Sequence, residues 1–304
     1  MTGMLDRPLK VRTISGPGLR RRAVNNVATL LVSVSMLIAL TPLVWVLCSV
    51  IAQGFKAITS TVWWSHSQAG MTPLVAGGGA YHAVVGTVLL GLVCAVISIP
   101  IGILVAIYLV EYGGNTALGR LATFMVDALA GLPSLVAALF IYATWVATLG
   151  FSRSQFAVSL ALVLLMLPVI VRATEEMLRI VPVDLREASY ALGVPKWKTI
   201  ARVVIPTGLA GIITGIMLAV ARVLGETAPL LILVGYSQAM NFDIFNGFMG
   251  SLPGMIYNQV LDGAGVNPIP TERLWGAALT LVLLIAVINI GARMAARIHA
   301  PKKL

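Results

Sequence analysis

The chain has 304 residues, 59% of them hydrophobic and only 11% charged, with a formal net charge of +10. A soluble domain carries about twice that charged fraction, so the composition excludes an ordinary soluble fold and places the chain in a membrane. Two cysteines, Cys48 and Cys94, both inside apolar runs, imply no disulfide framework, and the basic excess shows none of the aromatic interleaving of a nucleic-acid surface.

Residues 1–26 are polar and basic, with Arg7, Lys10, Arg12, Arg20, Arg21 and Arg22, and Gly16-Pro17-Gly18 interrupts any helix there. The apolar run that follows is too long for a signal peptide and lacks a small-residue cleavage site, so this reads as a retained cytoplasmic tail. Six apolar stretches follow, at 27–51, 82–110, 121–149, 155–171, 208–235 and 274–294. A helix needs about 20 residues to cross a bilayer. The expected fold is therefore an all-α membrane protein with six transmembrane helices. Its organisation would be a tail (1–26), a first helix with an outer loop (27–81), a five-helix core (82–294) and a second tail (295–304). The fourth stretch is the shortest and could continue as helix into the next loop. Pro42, Pro100, Pro133, Pro168 and Pro229 lie within spans, where neighbouring helices can satisfy the freed carbonyls.

Between the spans, Lys and Arg number seventeen on one side and three on the other, with Arg222 inside the fifth span. The positive-inside rule then puts both termini, and the loop between the fourth and fifth spans, in the cytoplasm. The basic charge is a topology signal and a contact with anionic lipid. The outer loops 52–81 and 236–273 are long. Trp63-Trp64 reads as an interfacial anchor, Gly77-Gly78-Gly79 as a flexible turn, and the last loop is apolar enough to lie on the membrane or re-enter it.

The loop between the fourth and fifth spans holds the polar stretch 184–206. Asp184 can cap a short helix, with Glu187 three residues on. Leu185, Ala188, Ala191 and Leu192 share one face, and Gly193 can close the helix in a left-handed conformation. Pro195 can sit in the first turn of a second helix with Trp197, Ile200 and Val204 as its apolar stripe, and Pro206 stops it. Two short amphipathic helices joined by a tight turn are expected.

Charges inside spans cost about 2.5–3.5 kcal/mol on insertion scales, so they face a bundle interior or a water-filled path. Asp127 lies near the inner end of the third span, and Arg172 at the inner end of the fourth. Arg222 and Glu226, four apart in the fifth, would share a helix face. A buried ion pair that locks packing is the competing reading. Thr227 offers a hydroxyl, although a bond to its own helix backbone is the plainer role. His66, His82 and His299 are far apart, no metal-ligand spacing or phosphate loop is present, and no nucleophile elbow is found.

Glu187-Ala188-Ser189, three residues, Gly193, nine residues, then Val203-x-Ile205-Pro206 resembles the EAA loop of bacterial ABC importer permeases. Ser189, Val203 and Ile205 are mild departures from its pattern. The segment Ala221 to Leu231 resembles the AR-x-x-GETAPLL segment of the PstA family of phosphate importer permeases. Glu176 to Pro182 with Leu185 to Ala188, Ala130 to Val136, and Ala106 to Tyr112 are similar to that family too. The resemblance covers about 77–275.

It implies a type I ABC permease fold. Glu187, Ala188, Ser189, Gly193, Trp197 and Pro206 would lie in a cytoplasmic coupling loop that docks on a separate ATPase subunit. It also implies a PstC-like permease partner, a PstB-like ATPase dimer and an external PstS-like phosphate-binding protein. ATP hydrolysis would fall on the ATPase, so this chain is expected to be no enzyme and to need no cofactor or metal. Arg222, Glu226, Arg172, Asp127 and Thr227 are the expected pathway residues. Another oxyanion such as sulfate or molybdate, an ATP-independent anion transporter, and a membrane enzyme acting on phosphorylated lipids remain as alternatives.

Overall fold

The structure, a computed structural model, describes residues 18–114 and 116–299. Among these, five helices are long and apolar enough to cross a membrane, and a bent pair gives a sixth crossing if counted as one span. The chain divides into two compact units, Met1–Ser49 and Val50–Leu304. The described part of the first is the leading portion of helix α1 (Leu19–Ile58), which contains Pro42 without ending there. Most of the expected basic tail, residues 1–17, and the last residues 300–304 lie outside the described residues. Arg20, Arg21 and Arg22 are helical, in the first turn of α1.

The second unit is built around helix α6 (Gln155–Ile180), the most buried of the long helices. Ala157, Val158, Ala161, Leu162, Met166, Ile170 and Leu178 on it are fully or almost fully buried. Helix α3 (Tyr81–Ile107) runs parallel to it: Gln155 Nε2 donates to the Gly86 carbonyl (2.9 Å) near both N-termini, and Gly102 faces Ile170 further along. Helix α9 (Ile205–Leu224) runs antiparallel. A Cβ on Gly215 would stand 2.3 Å from the Ala173 Cβ, so these two backbones approach as only small residues allow. Helix α12 (Pro268–His299) packs on α9.

The expected third span is two helices, α4 (Ala117–Ala130) and α5 (Ser134–Ile141), the second extended by a π-helical stretch Tyr142–Thr148. They meet at 107°. Gly131, Leu132 and Pro133 form the corner, because Pro133 lacks the N–H that would continue the helix. The fifth span also breaks: α9 ends at Leu224, and α10 (Ala228–Leu233) starts afresh after Gly225-Glu226-Thr227. The fourth runs on nine residues beyond the expected 171, to Ile180.

Away from α6's C-terminal end, α2 (Thr61–Ser65) and α11 (Leu252–Leu261) cap the N-terminus of α3. Trp63 is not an interfacial anchor. It is buried and its indole N–H donates to Thr280 Oγ1 (2.9 Å), while Trp64 stays exposed. The Gly77-Gly78-Gly79 turn is packed rather than loose. A Cβ on Gly79 would meet the carbonyl oxygens of His66, Val62 and Trp63 at 2.4, 2.4 and 2.7 Å. The segment between α10 and α12 mixes exposed Phe242, Phe245 and Phe248 with buried Leu252 and Met255 on α11.

Candidate functional site

Helix α7 (Val183–Ala191) begins after Pro182, so Asp184 lies in its first turn and is not its cap; the fixed φ of Pro182 starts the helix without a side-chain hydrogen bond. It ends in a Schellman turn. Gly193 has φ +75°, its N–H donates to the Tyr190 carbonyl (2.9 Å), and Val194 N–H donates to the Ser189 carbonyl (3.2 Å). Pro195 then serves as N-cap of α8 (Lys196–Thr199), one position earlier than expected. Pro206 does not stop the second helix. A π-helical stretch Ile200–Val204 leads without interruption into α9, which puts Pro206 in that helix's first turn, where its missing N–H costs little.

The loop thus hangs on α6 at one end and is continuous with α9 at the other. Ser189 is buried between its two helices and shares a 2.8 Å hydrogen bond with Thr199 Oγ1. Ile200 and Val204 are buried as the expected stripe requires, but Trp197 is not part of it: its side chain is 65% exposed. The expected apolar face of α7 is exposed as well, with Leu192 at 83%, together with Leu185, Ala188 and Ala191. Glu187 is exposed beside them.

A second group of charges sits on the C-terminal half of α6. Glu175 is almost fully buried and accepts from Arg172 Nη1 (2.7 Å) and Arg179 Nη2 (2.6 Å), three residues before it and four after. Arg172 also donates to Asp127 on α4. Asp127 is therefore paired and largely exposed, as its place near a helix end allows. Beside this ladder lies a cleft of about 350 Å³ lined by Arg120, Thr123, Asp127, Glu175 and Arg179, among others. Sequence reading cut the fourth span before Glu175 and missed it, although Arg172, Glu175 and Arg179 at three- and four-residue intervals carry the signal.

Arg222 is exposed on the last turn of α9, and Glu226 is half-buried beyond the helix end. The expected shared helix face is absent because Gly225 terminates α9, and among the described residues no ion pair joins the two. Thr227 occupies the N-cap position of α10 without a side-chain cap bond. Ala173 stands opposite Gly215, and Arg222 lies two turns further along α9, so Arg172 and Arg222 are separated by roughly 10 Å along the bundle axis. The structure brings together Asp127 and Arg172, and Ser189 with Thr199 on α8. It does not bring Arg222 to either group.

At the opposite end of α3, Arg273 is buried and donates to the carbonyls of Gly77 (2.8 Å), Val75 (2.7 Å) and Thr72 (3.3 Å), which fixes the loop between α2 and α3. Tyr236 donates to Gln68 Oε1 (3.0 Å) and pairs with His82 Nε2 (2.8 Å). Burial pushes the Tyr236 hydroxyl above its ordinary pKa, so it stays a neutral donor. Among the described residues no three His, Cys, Asp or Glu side chains are placed to hold a metal ion.

Residues 98–304 match the family described as "binding-protein-dependent transport system inner membrane component". The chain is 56% identical over 286 residues to a phosphate transport system permease protein PstA of Mycobacterium leprae, covering 94% of this chain and 93% of that one. It is 54% identical to PstA 1 of Mycobacterium tuberculosis (strain CDC 1551 / Oshkosh), covering 95% and 94%, and 37% identical to PstA of Yersinia pestis, covering 93% and 92%. Among solved structures, an inward-facing MetNI methionine ABC transporter gives a TM-score of 0.57 at 20% identity, covering 73% of this chain and 95% of that one. A bacterial ABC transporter that imports alginate gives 0.60 at 13% identity, covering 91% and 96%. These two structures share the fold. On the family match and the identities together, the chain belongs to the binding-protein-dependent transport system inner membrane components and, within them, to the PstA permease proteins of phosphate transport systems.

Proposed function

We propose that this chain is the membrane permease subunit of an ATP-driven phosphate importer and supplies half of the translocation path and one coupling loop. The observation that carries the reading is the exposed apolar face of α7 with Trp197 on α8. It lies on a two-helix turn continuous with α9, the helix that carries Arg222. Leu192 and Trp197 left bare on a polar loop are what a groove on an ATPase subunit would cover. The partners in this reading are a PstC-like permease, a PstB-like ATPase dimer, which hydrolyses the ATP, and an external PstS-like phosphate-binding protein. Both termini and the coupling loop lie in the cytoplasm, as the charge asymmetry of the loops supports. An ATP-independent transporter would have no use for the bare face.

Phosphate carries one or two negative charges near neutral pH, and a guanidinium matches its oxygens with paired hydrogen bonds. Arg222 is the residue that meets the passing anion, with Glu226 as its counter-charge between passages. Arg172, about two turns further in, is a second cation on the way out, and Asp127 and Thr227 complete the lining.

Phosphate uptake into vesicles holding the reconstituted complex tests this. Arg222→Gln removes a charge-assisted contact of about 1.5–3 kcal/mol, so uptake should fall about 10- to 100-fold with the complex assembled. Leu192→Arg should strip the ATPase from the purified chain. Unchanged uptake by Arg222→Gln would remove Arg222 from the path, and an ATPase retained by Leu192→Arg would overturn the docking face.

A further inference from the structure

The segment Ala106 to Tyr112 is similar to the family's sequence, yet nothing above gives it a task. It forms the inner end of α3, where the helix passes into a π-helical stretch Tyr108–Gly113. We propose that Glu111 is the positioning residue that fastens the coupling loop to α3, so that displacement of α7 and α8 reaches α3 as well as α6 and α9. The inference rests on the permease reading above.

Both coupling helices hold the same residue. From α7, Arg186 donates Nε (3.2 Å) and Nη2 (3.1 Å) to Glu111 Oε1. The same guanidinium donates Nη1 to the Val181 carbonyl (2.6 Å) and Nη2 to the Leu178 carbonyl (2.8 Å), at the end of α6. One side chain therefore joins α3, α6 and α7. From α8, Lys196 donates to the Glu111 backbone carbonyl, and its ammonium sits 4.6 Å from the centre of the Tyr112 ring.

Three physical arguments make this more than packing. The carboxylate and guanidinium side chains are only 6% and 14% exposed, so their attraction is weakly screened and their geometry is held. Two cations placed at the C-terminal end of α3 are also favoured by its dipole. Finally, α6 and α9 are tied to the loop by the chain itself, whereas α3 is distant in sequence and needs side chains to be tied. Arg186 and Lys196 lie 75 and 85 residues from Glu111. The tie reaches the pathway because α3 is a 27-residue helix whose Gly91 packs on Leu224, two residues after Arg222.

The test uses the whole complex in lipid vesicles, with the phosphate-binding protein present, and reads phosphate delivered per ATP hydrolysed. Glu111→Gln keeps the shape and an acceptor oxygen but removes the charge; Lys196→Gln alters an exposed side chain and cannot damage the core. Both complexes should assemble and hydrolyse ATP, with hydrolysis less responsive to the loaded binding protein. The ratio should fall about 2- to 30-fold, the range that coupling energies between sites span. A residue that only stabilises the fold would lower the amount of complex and leave the ratio per complex alone. A wild-type ratio in both variants overturns the proposal; if Glu111→Gln does not assemble, a wild-type ratio in Lys196→Gln overturns it. Variants that transport normally where Arg222→Gln is inactive sink only this inference, whereas a wild-type complex that moves no phosphate sinks the permease reading and this inference with it.

Discussion

Glu175→Gln should destabilise the chain far more than loss of either arginine's exposed pairing would suggest. The Glu175 side chain is 6% exposed and takes two short charge-assisted hydrogen bonds, from Arg172 and Arg179. Such a bond is worth about 1.5–3 kcal/mol where it is shielded. The Arg179 side chain is mostly exposed, so its contribution shrinks to about 0–1 kcal/mol. Glutamine keeps one acceptor but turns an amide donor toward a guanidinium, and Arg172 retains only Asp127. The sum is a loss of about 1.5–4 kcal/mol. Reversible unfolding of the purified chain by titration with a denaturing detergent would read it, with Arg179→Gln as the comparison at under about 1 kcal/mol. Equal losses in the two variants would refute the reasoning, because the ladder would then be a solvated surface array rather than a buried carboxylate holding two cations.

Gly79→Ala should cost about 1–3 kcal/mol, near the upper figure because the obstructing atoms are three backbone carbonyls that cannot rotate away. Gly291→Ala in α12, with open space around its Cβ, should gain up to about 1 kcal/mol in the same unfolding assay. Equal tolerance at the two sites would restore the flexible-turn reading. Ser189→Ala removes the buried 2.8 Å bond to Thr199 and should cost about 0.5–1.5 kcal/mol; no measurable loss would mean that packing alone joins α7 and α8.

The spans and the two-helix turn between the fourth and fifth were legible because both are written locally. Twenty apolar residues announce a crossing, and the Gly193 turn follows from one glycine at the end of one amphipathic face. Helix ends were less legible. The fourth span was cut where Arg172 begins the charges, yet a charged helix continues as readily as an apolar one once its side chains pair along its own face. Pro206 reads as a stop in isolation, but a π-helical stretch before it turns the same residue into a helix start. The pairing of Glu111 with Arg186 was out of reach: 75 residues separate them, and no spacing rule connects the end of one span to a loop two spans later. The exposure of Leu192 and Trp197 could not be read either, since an amphipathic face declares that it wants a cover without saying whether the chain itself supplies one.

The two places where continuous helices were expected and broken ones occur share a physical logic. Backbone that leaves the helix at membrane depth must keep its polar groups paired. At the first corner Gly131 N–H donates to the Asp127 carbonyl (3.3 Å) and Leu132 N–H to that of Leu129 (3.2 Å), while Pro133 has no N–H to satisfy. At the second, Gly225 and Glu226 N–H groups donate to the carbonyls of Arg222 and Val223 (both 3.2 Å), and Pro229 opens the next helix. Each break thus combines tight turns that retain the donors with a proline that removes one. The helices that follow the two breaks, α5 and α10, pack against each other. Sequence read by helical period alone carries Glu226 round to the face of Arg222. Sequence read for donors and acceptors ends the helix at Leu224, and among the described residues Arg222 then stands on a terminal turn with no ion pair to Glu226.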